Sequence, residues 1–368
     1  MAIRDGMIHL RALVTGGAGF IGSHIAEALL ARGDYVCVLD NLDPRVHEDA
    51  VPTQSGDIHF VHGDILSPSA LRYALKERVD VVFHEAAMVG PGKGGADAEA
   101  YINTNINGTA GLMHAIAELQ SETPPRVILA STMAIYGEGA YVCKGCGKHQ
   151  SGTRSLADLA RSQWDPFCVS CKQTLDPEAV TENQPTKPGT IYAISKLGQE
   201  LLCMSLGREA NIPVTALRYH NVYGPRMPRD TPYAGVASFF KSRLLAGLPP
   251  LVYEDGNQLR DFIHASDIAR ANLLVAEARQ ADVAFEAFNV GTGQPHTILD
   301  FAKELANTLA PTVQAQFPGS FRLGDARHIF ADISKIEQLG FKPHTTFEVG
   351  VSRFAMEPTR AAPRIVLS

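Results

Sequence analysis

The sequence predicts a doubly wound α/β fold, in which helices cover both faces of a parallel sheet. Short apolar β-type segments alternate with helical segments up to about residue 220, and parallel strands need long crossover connections of this kind. The chain has 368 residues, of which 45% are hydrophobic, so it can bury a large core and fits about two domains.

The predicted elements follow one another at a regular rhythm. In order, they are a strand at 11–16, a helix at 23–33, strands at 35–40 and 58–64, a helix at 69–78, a strand at 79–87, a helix at 105–119, a strand at 126–132, a helix at 195–210 and a strand at 214–219. From residue 221 the chain becomes rich in proline and glycine, as in NVYGPRMPRDTPYAG. We therefore expect one domain over 1–220 and a smaller, mainly substrate-binding lobe over 221–368.

Charge and hydropathy exclude several classes of protein. The net charge is −6 and no long basic run occurs, so we expect no nucleic-acid partner. No window of about 18 apolar residues is present, and the start MAIRDGMIHLRALVTGG does not have the pattern of a secretory signal. These features predict a cytoplasmic protein without a membrane partner.

A glycine-rich turn joins the first strand to the first helix. In VTGGAGFIGSH, Gly16, Gly19 and Gly22 allow a tight turn and a close backbone approach to a pyrophosphate at the amides of a helix N-terminus. Asp40 ends the second strand, where a carboxylate accepts hydrogen bonds from an adenosine ribose and repels a 2′-phosphate. The sheet is therefore predicted to be of the Rossmann type, with NAD rather than NADP as cofactor.

Asp64 ends the next predicted strand, in HGDIL. Two interpretations stay open for it. The carboxylate can meet the adenine edge of the cofactor, or it can cap the helix that begins in SPSALRYAL.

Tyr192 and Lys196 in TIYAISK are four residues apart at the start of a helix, so they share one face. A nearby ammonium and a positive nicotinamide ring both lower the pKa of a phenol, which makes Tyr192 a candidate general base. Thr132, at the end of the strand RVILAST, can share the proton path. Tyrosine and lysine at this spacing are also common on solvated helices, so the pair alone is weak evidence.

Four of the six cysteines form two CxxC pairs, in CKGCGK and FCVSCK. Cys143, Cys146, Cys168 and Cys171 match a four-cysteine zinc site, in which four thiolates leave no open position for substrate. We therefore predict a structural zinc-knuckle insertion at 141–175 rather than a catalytic metal. His149 is a conceivable substitute ligand, although four cysteines already complete the shell. Cys37 and Cys203 lie in apolar runs and are expected to be buried.

The ordered motifs TGGAGFIG, HEAA, STMAIYG, YAISK, RYHNVYGP and RDFIHASD resemble the extended short-chain dehydrogenase/reductase family over nearly the whole chain. This resemblance implies that Thr132, Tyr192 and Lys196 are catalytic. It implies cofactor contacts from Gly16, Gly19, Phe20, Ile21, Gly22, Asp40, Asn41, Asp64, Ile65, Ala86, Ala87, Asn105, Tyr192 and Lys196. It further implies substrate contacts from Met88, Thr132, Asn221, Arg260, Arg322 and Asp325.

Some of these residues have a plainer interpretation. The arginines Arg260 and Arg322 suit a diphosphate clamp because a guanidinium group is planar and permanently charged, but they can also form ordinary surface ion pairs. Met88 and Val89 would tolerate a 6-deoxy methyl group near the sugar, or simply pack. His220, in RYHNVYG, departs from the pattern of many relatives and leaves the identity of the sugar open.

The residues after Thr132 separate the reactions of this family. Dehydratases that resemble this chain carry an Asp-Glu pair there, decarboxylating relatives a glutamate and 3,5-epimerising relatives a cysteine, whereas this chain has Met133 and Ala134. The resemblance therefore implies 4-epimerisation of a nucleotide sugar. Tyr192 removes a hydroxyl proton, hydride passes to NAD, the keto sugar turns over, and hydride returns to its other face.

The four-cysteine insertion, with NVYGPRM and GDARHIFAD, resembles the dTDP-L-rhamnose 4-epimerase group, whose product is a 6-deoxy-L-talose nucleotide used in deoxysugar biosynthesis. A UDP-glucose/galactose 4-epimerase, a nucleotide-sugar dehydrogenase or reductase, and a non-catalytic NAD-binding scaffold stay open as alternatives. The helices after Thr104 and Tyr192 resemble those of a dimer interface in the family, so a homodimer is expected.

Overall fold

A computed structural model describes residues 2–4, 7–44, 46–47, 58–90, 94–150, 152, 154–229, 235–322 and 324–359. The strands of this part are β1 Ala2–Arg4, β2 Met7–His9, β3 Arg11–Thr15, β4 Tyr35–Asp40, β5 Ile58–His62, β6 Val81–His84, β7 Arg126–Thr132, β8 Ala140–Val142, β9 His149–Gln150, β10 Asp176–Glu178, β11 Val214–Tyr219, β12 Asn221–Tyr223, β13 Leu259–His264, β14 Glu286–Val290, β15 Pro295–Thr297 and β16 His328–Ile329.

The α-helices of the described residues are α1 Phe20–Ala31, α2 Pro68–Ala74, α3 Ala98–Tyr101, α4 Gly108–Ala117, α5 Leu156–Ala160, α6 Ile191–Ala210, α7 Val236–Leu245, α8 Ala265–Glu277, α9 Gln280–Val283, α10 Ile298–Leu309, α11 Ser334–Glu337 and α12 Phe347–Met356. Short 3₁₀ helices span Gly94–Asp97 and Met133–Tyr136, and a π-helical turn at Ile102–Asn107 precedes α4. None of these helices is long and apolar enough to cross a membrane.

Seven parallel strands form the central sheet in the order β14-β11-β7-β6-β3-β4-β5. Both faces are buried, because successive side chains of one strand point to opposite sides. In β3, Ala12 and Val14 pack with α1 and α8, whereas Leu13 packs with residues of α2, α4 and α6. The predicted doubly wound fold is confirmed.

The strand order reverses between β3 and β6, since the chain runs outward from β3 through β4 and β5 and then crosses to β6. Ligands of doubly wound sheets bind at the carboxyl ends of the strands at such a switch point. Thr15 and His84 are paired in register there, at the ends of β3 and β6.

The chain after residue 221 forms a second hydrophobic core. Aromatic rings meet edge to face within it, with the ring centroids of Tyr223 and Phe301 5.4 Å apart. The same segment also returns to the central sheet, because β14 extends its edge beside β11 and α8 packs on α1. The division at residue 220 stays a prediction, and the described residues after 220 contribute both to the central sheet and to the second core.

The predicted element boundaries differ by a few residues at helix termini. Helix α1 begins at Phe20 rather than at residue 23, and α6 begins at Ile191 rather than at residue 195, since Thr190 caps it through a bond from the Ala193 N–H. This earlier start places Tyr192 in the first turn of α6. The insertion folds as a small antiparallel sheet in the order β10-β8-β9.

Candidate active site

The glycine turn lies at the switch point of the sheet. Gly16 has φ +67°, and a Cβ atom on it would lie 2.7 Å from the amide nitrogen of Ala86. A Cβ on Gly22 would lie 2.3 Å from the Gly16 carbonyl oxygen, so Gly22 lets α1 approach the turn. Gly19 is the N-cap of α1 and provides no side-chain cap. The first turn of α1, with Phe20 and Ile21, therefore presents amide groups suited to a phosphate.

Asp40 ends β4 beside this turn. Its carboxylate accepts hydrogen bonds from the Ala18 N–H at 3.0 Å and the Leu42 N–H at 2.8 Å. His47 Nε2 lies 3.6 Å from the same carboxylate, a contact that the sequence analysis missed. The predicted ribose-binding acid is thus attached directly to the phosphate turn.

Asp64 does not cap α2. Its Oδ2 accepts from the Asn41 amide at 2.8 Å and its Oδ1 accepts from the Leu66 N–H at 2.8 Å, while Ser67 is the N-cap. The capping interpretation of Asp64 is therefore wrong, because the N-cap, Ser67, lies three residues later. Asn41 and Asp64 lie together at the ends of β4 and β5, on the side predicted for adenosine.

Two other predicted cofactor residues, Asn105 and Ile65, contact the segments next to the glycine turn from the core side. Asn105 is fully buried and its amide bonds both the N–H and the carbonyl of Met88, at 2.8 and 3.0 Å. It thereby holds the turn that contains Ala86 and Ala87. The side chain of Ile65 packs into the core against Gly108. Asn105 therefore supports the turn after β6, and Ile65 packs beneath the start of α4.

Thr132, Tyr192 and Lys196 come together at the carboxyl edge of β7 and the first turns of α6. The hydroxyl groups of Thr132 and Tyr192 are hydrogen-bonded, and Lys196 is 3% exposed one turn further along the helix. Thr132 and Lys196 are buried and Tyr192 is partly buried, so the predicted catalytic group does not lie on a solvated helix face.

The pKa of Tyr192 differs in direction from the expectation. Burial raises it above its ordinary value, and the hydrogen bond from Thr132 opposes that rise. The ammonium group of Lys196 points instead to the Oε1 atom of Gln199. Burial also lowers the pKa of Lys196 to about 8, although the carboxylates of Glu85 and Glu200 oppose this shift.

A buried chain of polar groups, missed by the sequence analysis, holds Lys196. Gln199 accepts from the Lys196 ammonium and donates to Thr109 Oγ1 at 2.8 Å. Thr109 also contacts His84 Nε2 at 2.8 Å, and His84 Nδ1 contacts Thr15 Oγ1 at 2.8 Å. Burial lowers the pKa of His84 to about 3, so the ring is neutral. The polar His84 and Gln199 within apolar segments are the signal that could have revealed this chain.

Glu85 follows β6 and is a second missed residue. Its Oε1 accepts from the Tyr219 hydroxyl at 2.8 Å, and Tyr219 accepts from Asn272 at 2.7 Å. Burial raises the pKa of Glu85 to about 7, although the Tyr219 bond and the charge of Lys196 oppose this rise. The signal in the sequence is a carboxyl group inside the apolar run VVFHEAA.

Glu85→Gln is expected to make the stability of the folded protein depend less on pH. A carboxyl group whose pKa rises from 4.5 to about 7 on folding binds its proton more tightly in the folded state, so stability falls as pH rises through this range. We expect the Tm of the variant to exceed that of the wild type at pH 8 and to equal it at pH 4.5. Thermal unfolding at both pH values measures this, with the exposed Glu277→Gln as control; an equal difference at both pH values would contradict the assignment.

A cleft of about 610 Å³ opens beside Tyr192, a volume typical of small-molecule sites. Its sides are lined mainly by the smaller lobe, with Met133 and Ala134 beside the tyrosine. The other lining residues include Gly90, Asn221, Val236, Phe239, Leu251, Tyr253, Gln258, Arg260, Arg322, Asp325 and Ala326. The cleft thus joins the predicted proton-transfer group to the predicted substrate residues.

Two polar atoms of the cleft lack a protein partner. The Oδ1 atom of Asn221 and the Oε1 atom of Gln258 are buried without a hydrogen bond. A buried polar atom without a partner is costly, so both atoms suit a polar ligand in the cleft. Met88, predicted to contact substrate, is buried with its backbone bonded to Asn105 and is not among the residues that line the cleft, whereas Gly90 is.

Both predicted arginines line the cleft but differ in their partners. Arg260 donates to the carbonyl groups of Ala326 at 2.5 Å and Arg327 at 3.1 Å, so it also supports the segment opposite. The guanidinium carbon of Arg322 lies 5.3 Å from the centre of the Tyr253 ring, over its face. The interpretation of Arg260 as a surface ion pair is wrong, since its donors go to backbone carbonyls.

The four predicted metal-ligating cysteines converge. Their Sγ atoms all lie within 4.8 Å of one another, with Cys143 and Cys171 3.3 Å apart and Cys146 and Cys168 3.6 Å apart. Tetrahedral zinc with sulfur at about 2.3 Å requires sulfur atoms roughly 3.8 Å apart. The cluster therefore fits a zinc ion.

The remaining sulfur and imidazole candidates lie outside this cluster. Cys37 and Cys203 are buried, as predicted. His149 contacts Glu178 at 2.7 Å instead, so it is not a substitute ligand.

Comparison with known sequences assigns the family. Residues 12–291 match the sequence model of the NAD dependent epimerase/dehydratase family. The chain belongs to this family. The resemblance to extended short-chain dehydrogenases/reductases is thereby confirmed.

Relatives of this family member include several 4-epimerases. It is 34% identical to dTDP-L-rhamnose 4-epimerase of Burkholderia thailandensis over 93% of each chain. The UDP-N-acetylglucosamine 4-epimerase of Methanobrevibacter ruminantium has a similar structure, with a TM-score of 0.76, 29% identity and coverage of 95% and 98% of the two chains. The UDP-glucose 4-epimerase of Thermus thermophilus, solved with NAD, has a TM-score of 0.72, 31% identity and coverage of 94% and 98%.

The glycine turn and Asp40 of this epimerase/dehydratase family member fit the predicted cofactor, NAD. The glycine turn can pack this closely against Ala86 and α1 only because Gly16 and Gly22 lack side chains, and the first turn of α1 lacks a side-chain cap. Asp40, at the end of β4, stands where a ribose hydroxyl would be bound. The residues present therefore fit NAD, in agreement with the NAD-bound relative.

Proposed function

We propose that this protein is an NAD-dependent 4-epimerase of a nucleotide sugar, and that it converts dTDP-L-rhamnose to dTDP-6-deoxy-L-talose. The observation that carries the proposal is the cleft, because Tyr192, the apolar Met133 and Ala134, and the arginines Arg260 and Arg322 all line it. Loss of water or of carbon dioxide needs a further acid or base beside the sugar. Apolar side chains there favour the simplest reaction, in which a hydride leaves and returns at one carbon.

Tyr192 is the proposed base. It removes the proton of the sugar hydroxyl at carbon 4 and later returns it. The Thr132 hydroxyl is hydrogen-bonded to the phenol and can take part in this proton transfer. Bound oxidised NAD supplies the hydride acceptor and a positive ring charge. That ring charge, together with the hydrogen bond from Thr132, would oppose the burial that raises the pKa of Tyr192.

Lys196 is positioned by the chain of Gln199, Thr109 and His84. The Thr109 hydroxyl donates to the Asn105 carbonyl at 2.7 Å. It therefore accepts from both Gln199 and the Nε2–H of His84, and these bonds define the direction of the chain. Gln199 can accept from Lys196 only while its amide donates to Thr109. The ammonium is therefore held in one orientation, where the ribose hydroxyls of the cofactor would be bound.

The substrate is held by its nucleotide while the sugar turns between two hydride transfers. Asn221 and Gln258 offer buried acceptor atoms to hydroxyl groups, and Arg260 and Arg322 suit the diphosphate. Binding energy from the remote nucleotide end can thus serve to position the reacting carbon. The cleft also has an apolar wall suited to the nucleobase of the substrate, formed by Tyr253, Phe239 and Leu251.

A UDP-glucose 4-epimerase is the second candidate, favoured by the similarity to the Thermus enzyme. Turnover of dTDP-L-rhamnose, UDP-glucose, UDP-N-acetylglucosamine and UDP-glucuronic acid by the purified protein separates these candidates. We expect conversion of dTDP-L-rhamnose to its carbon-4 epimer with no net change in NADH absorbance. Net NADH formation would instead identify a dehydrogenase, and turnover of no nucleotide sugar would refute the proposal.

We further propose one structural zinc ion at Cys143, Cys146, Cys168 and Cys171. The support is the mutual approach of the four sulfur atoms. The Gln150 side-chain amide donates to the Cys168 Sγ at 3.4 Å, a contact that suits a thiolate. Four sulfur ligands complete the coordination shell, so the ion would not take part in the hydride or proton steps.

A homodimer is also proposed. Ile194 and Leu201 are 52% and 62% exposed on α6, which packs beside α4. These side chains lie seven residues apart on one helix face, and Ile102 is exposed on the adjoining π-helical turn. Packing of this face on a second copy would bury them.

A further inference from the structure

The insertion, residues 141–175, lies outside the cleft but reaches the segment that forms its rim. The rim segment is defined as residue 322 together with residues 324–328. No described residue of the insertion lines the cleft, whereas Arg322, Gly324, Asp325 and Ala326 of the rim segment do. The insertion therefore reaches the cleft through the rim segment and through Glu254, a lining residue that Arg154 contacts.

Arg154 is the first link from the insertion to the rim. Its side chain is 2% exposed and donates to Glu254 Oε1 at 2.8 Å and to the carbonyl of Asp325. A guanidinium buried in this way is held by charge and by geometry. Arg154 therefore binds the rim through the backbone carbonyl of Asp325, a residue that lines the cleft.

Asp165 is the second link. It accepts from Arg327 Nε at 2.7 Å and from His328 Nε2 at 3.3 Å. The Leu259 N–H donates to His328 Nδ1, so the ring proton lies on Nε2 and faces Asp165. Arg327 is only 1% exposed and also binds Asp255 with both terminal nitrogens, at 2.6 and 2.9 Å.

The rim segment is thus held from two sides. Arg154 and Asp165 hold its outer side, and Arg260 in the cleft holds the carbonyls of Ala326 and Arg327. Arg322 and Asp325, on the inner side, are the residues expected to meet the nucleotide. A shift of the outer contacts would move these inner groups.

The cysteine cluster closes the loop that carries both links. Arg154 and Asp165 lie within residues 147–167, between the two CxxC pairs, and Asp165 stands three residues before Cys168. A bound ion ties both ends of this loop and so reduces the conformations open to it. The same tie fixes where Arg154 and Asp165 meet the rim.

We propose that the insertion is a positioning element for the substrate: with a metal ion on its four cysteines, Arg154 and Asp165 hold the rim segment in the conformation that binds a nucleoside diphosphate. Occupancy of the metal site then sets the affinity for the nucleotide part of the substrate, without contributing to proton or hydride transfer. This inference rests on the proposed function and deepens it.

The test compares Asp165→Ala with Asp158→Ala in the full-length protein. Both variants remove one aspartate of the insertion, but Asp158 pairs with Arg161 on the surface and does not reach the rim. We expect the calorimetric Kd for UDP and dTDP to rise about 10- to 100-fold in Asp165→Ala, with unchanged zinc and NAD contents, and to stay unchanged in Asp158→Ala. KM for the nucleotide sugar should rise with little change in kcat.

Zinc removal provides the second arm, by chelation of the wild type or by the double variant Cys146→Ser/Cys171→Ser, which changes the two exposed cysteines. The same rise in Kd is expected, with NAD still bound. Unchanged nucleotide affinity in Asp165→Ala or in folded zinc-free protein would overturn the inference alone. A wild type that binds neither UDP nor dTDP would instead overturn the proposed function and this inference with it.

Discussion

Replacement of Tyr192 by phenylalanine is expected to lower kcat for epimerisation by about 10²- to 10⁴-fold, the usual contribution of a positioned general base. The change removes one oxygen atom from a partly buried ring that lines the cleft in the first turn of α6. NAD content should be unchanged, because the glycine turn and Asp40 lie on other elements. Single-turnover and steady-state rates measure the loss.

The control is Tyr73→Phe, which removes a hydroxyl from an exposed ring on α2, remote from the cleft. A pH profile adds a second readout. Activity of the wild type should rise with pH as Tyr192 loses its proton, and the residual activity of Tyr192→Phe should lack this limb. A variant with near-wild-type kcat would refute the assignment of the base.

Replacement of Cys143 by serine is expected to abolish zinc binding and to destabilise the fold by at least about 3 kcal/mol, as expected when a structural metal is lost. Cys143 is fully buried, and its Sγ lies beside that of Cys171. The antiparallel sheet of β8, β9 and β10 has only a small core of its own around Tyr141 and Leu175. A small core cannot replace the energy that four metal–sulfur bonds provide.

Metal analysis and chemical unfolding measure both effects. Cys203→Ser is the matched control, since Cys203 is also fully buried but lies on α6, in the central core. It should lose some stability and keep the full zinc content. A folded, zinc-free Cys143→Ser protein with the unfolding midpoint of the wild type would show that the cluster does not support the fold.

Local sequence was sufficient for the elements of the Rossmann-type sheet. Alternation of side chains along β3 places Leu13 on one face and Ala12 and Val14 on the other, and both faces read as apolar because both are covered by helices. The glycine turn could also be predicted from the spacing of its glycines. In the structure, Gly16 and Gly22 occupy positions where a Cβ would collide. The cysteine clustering also followed from spacing.

Long-range charge pairs were not predictable in this way. Arg154 binds Glu254, which is a hundred residues away, and Arg327 binds Asp165, more than 160 residues away. No periodicity links such residues, because their encounter depends on how the two lobes and the insertion pack. The sequence analysis assigned no role to Arg327, which lies in GDARHIFAD between the predicted substrate residue Asp325 and β16.

The sequence by itself determined the order of strands and helices, the phosphate turn, the Tyr192 and Lys196 pair and the four-cysteine cluster, because each depends on neighbours within a few turns of the chain. Only the tertiary structure decided the direction of the Tyr192 pKa, the hydrogen bonds that orient Lys196 and the grip of Arg154 and Asp165 on the cleft rim. Desolvation and buried charge pairing depend on every element packed around a group, so they arise only when distant segments meet.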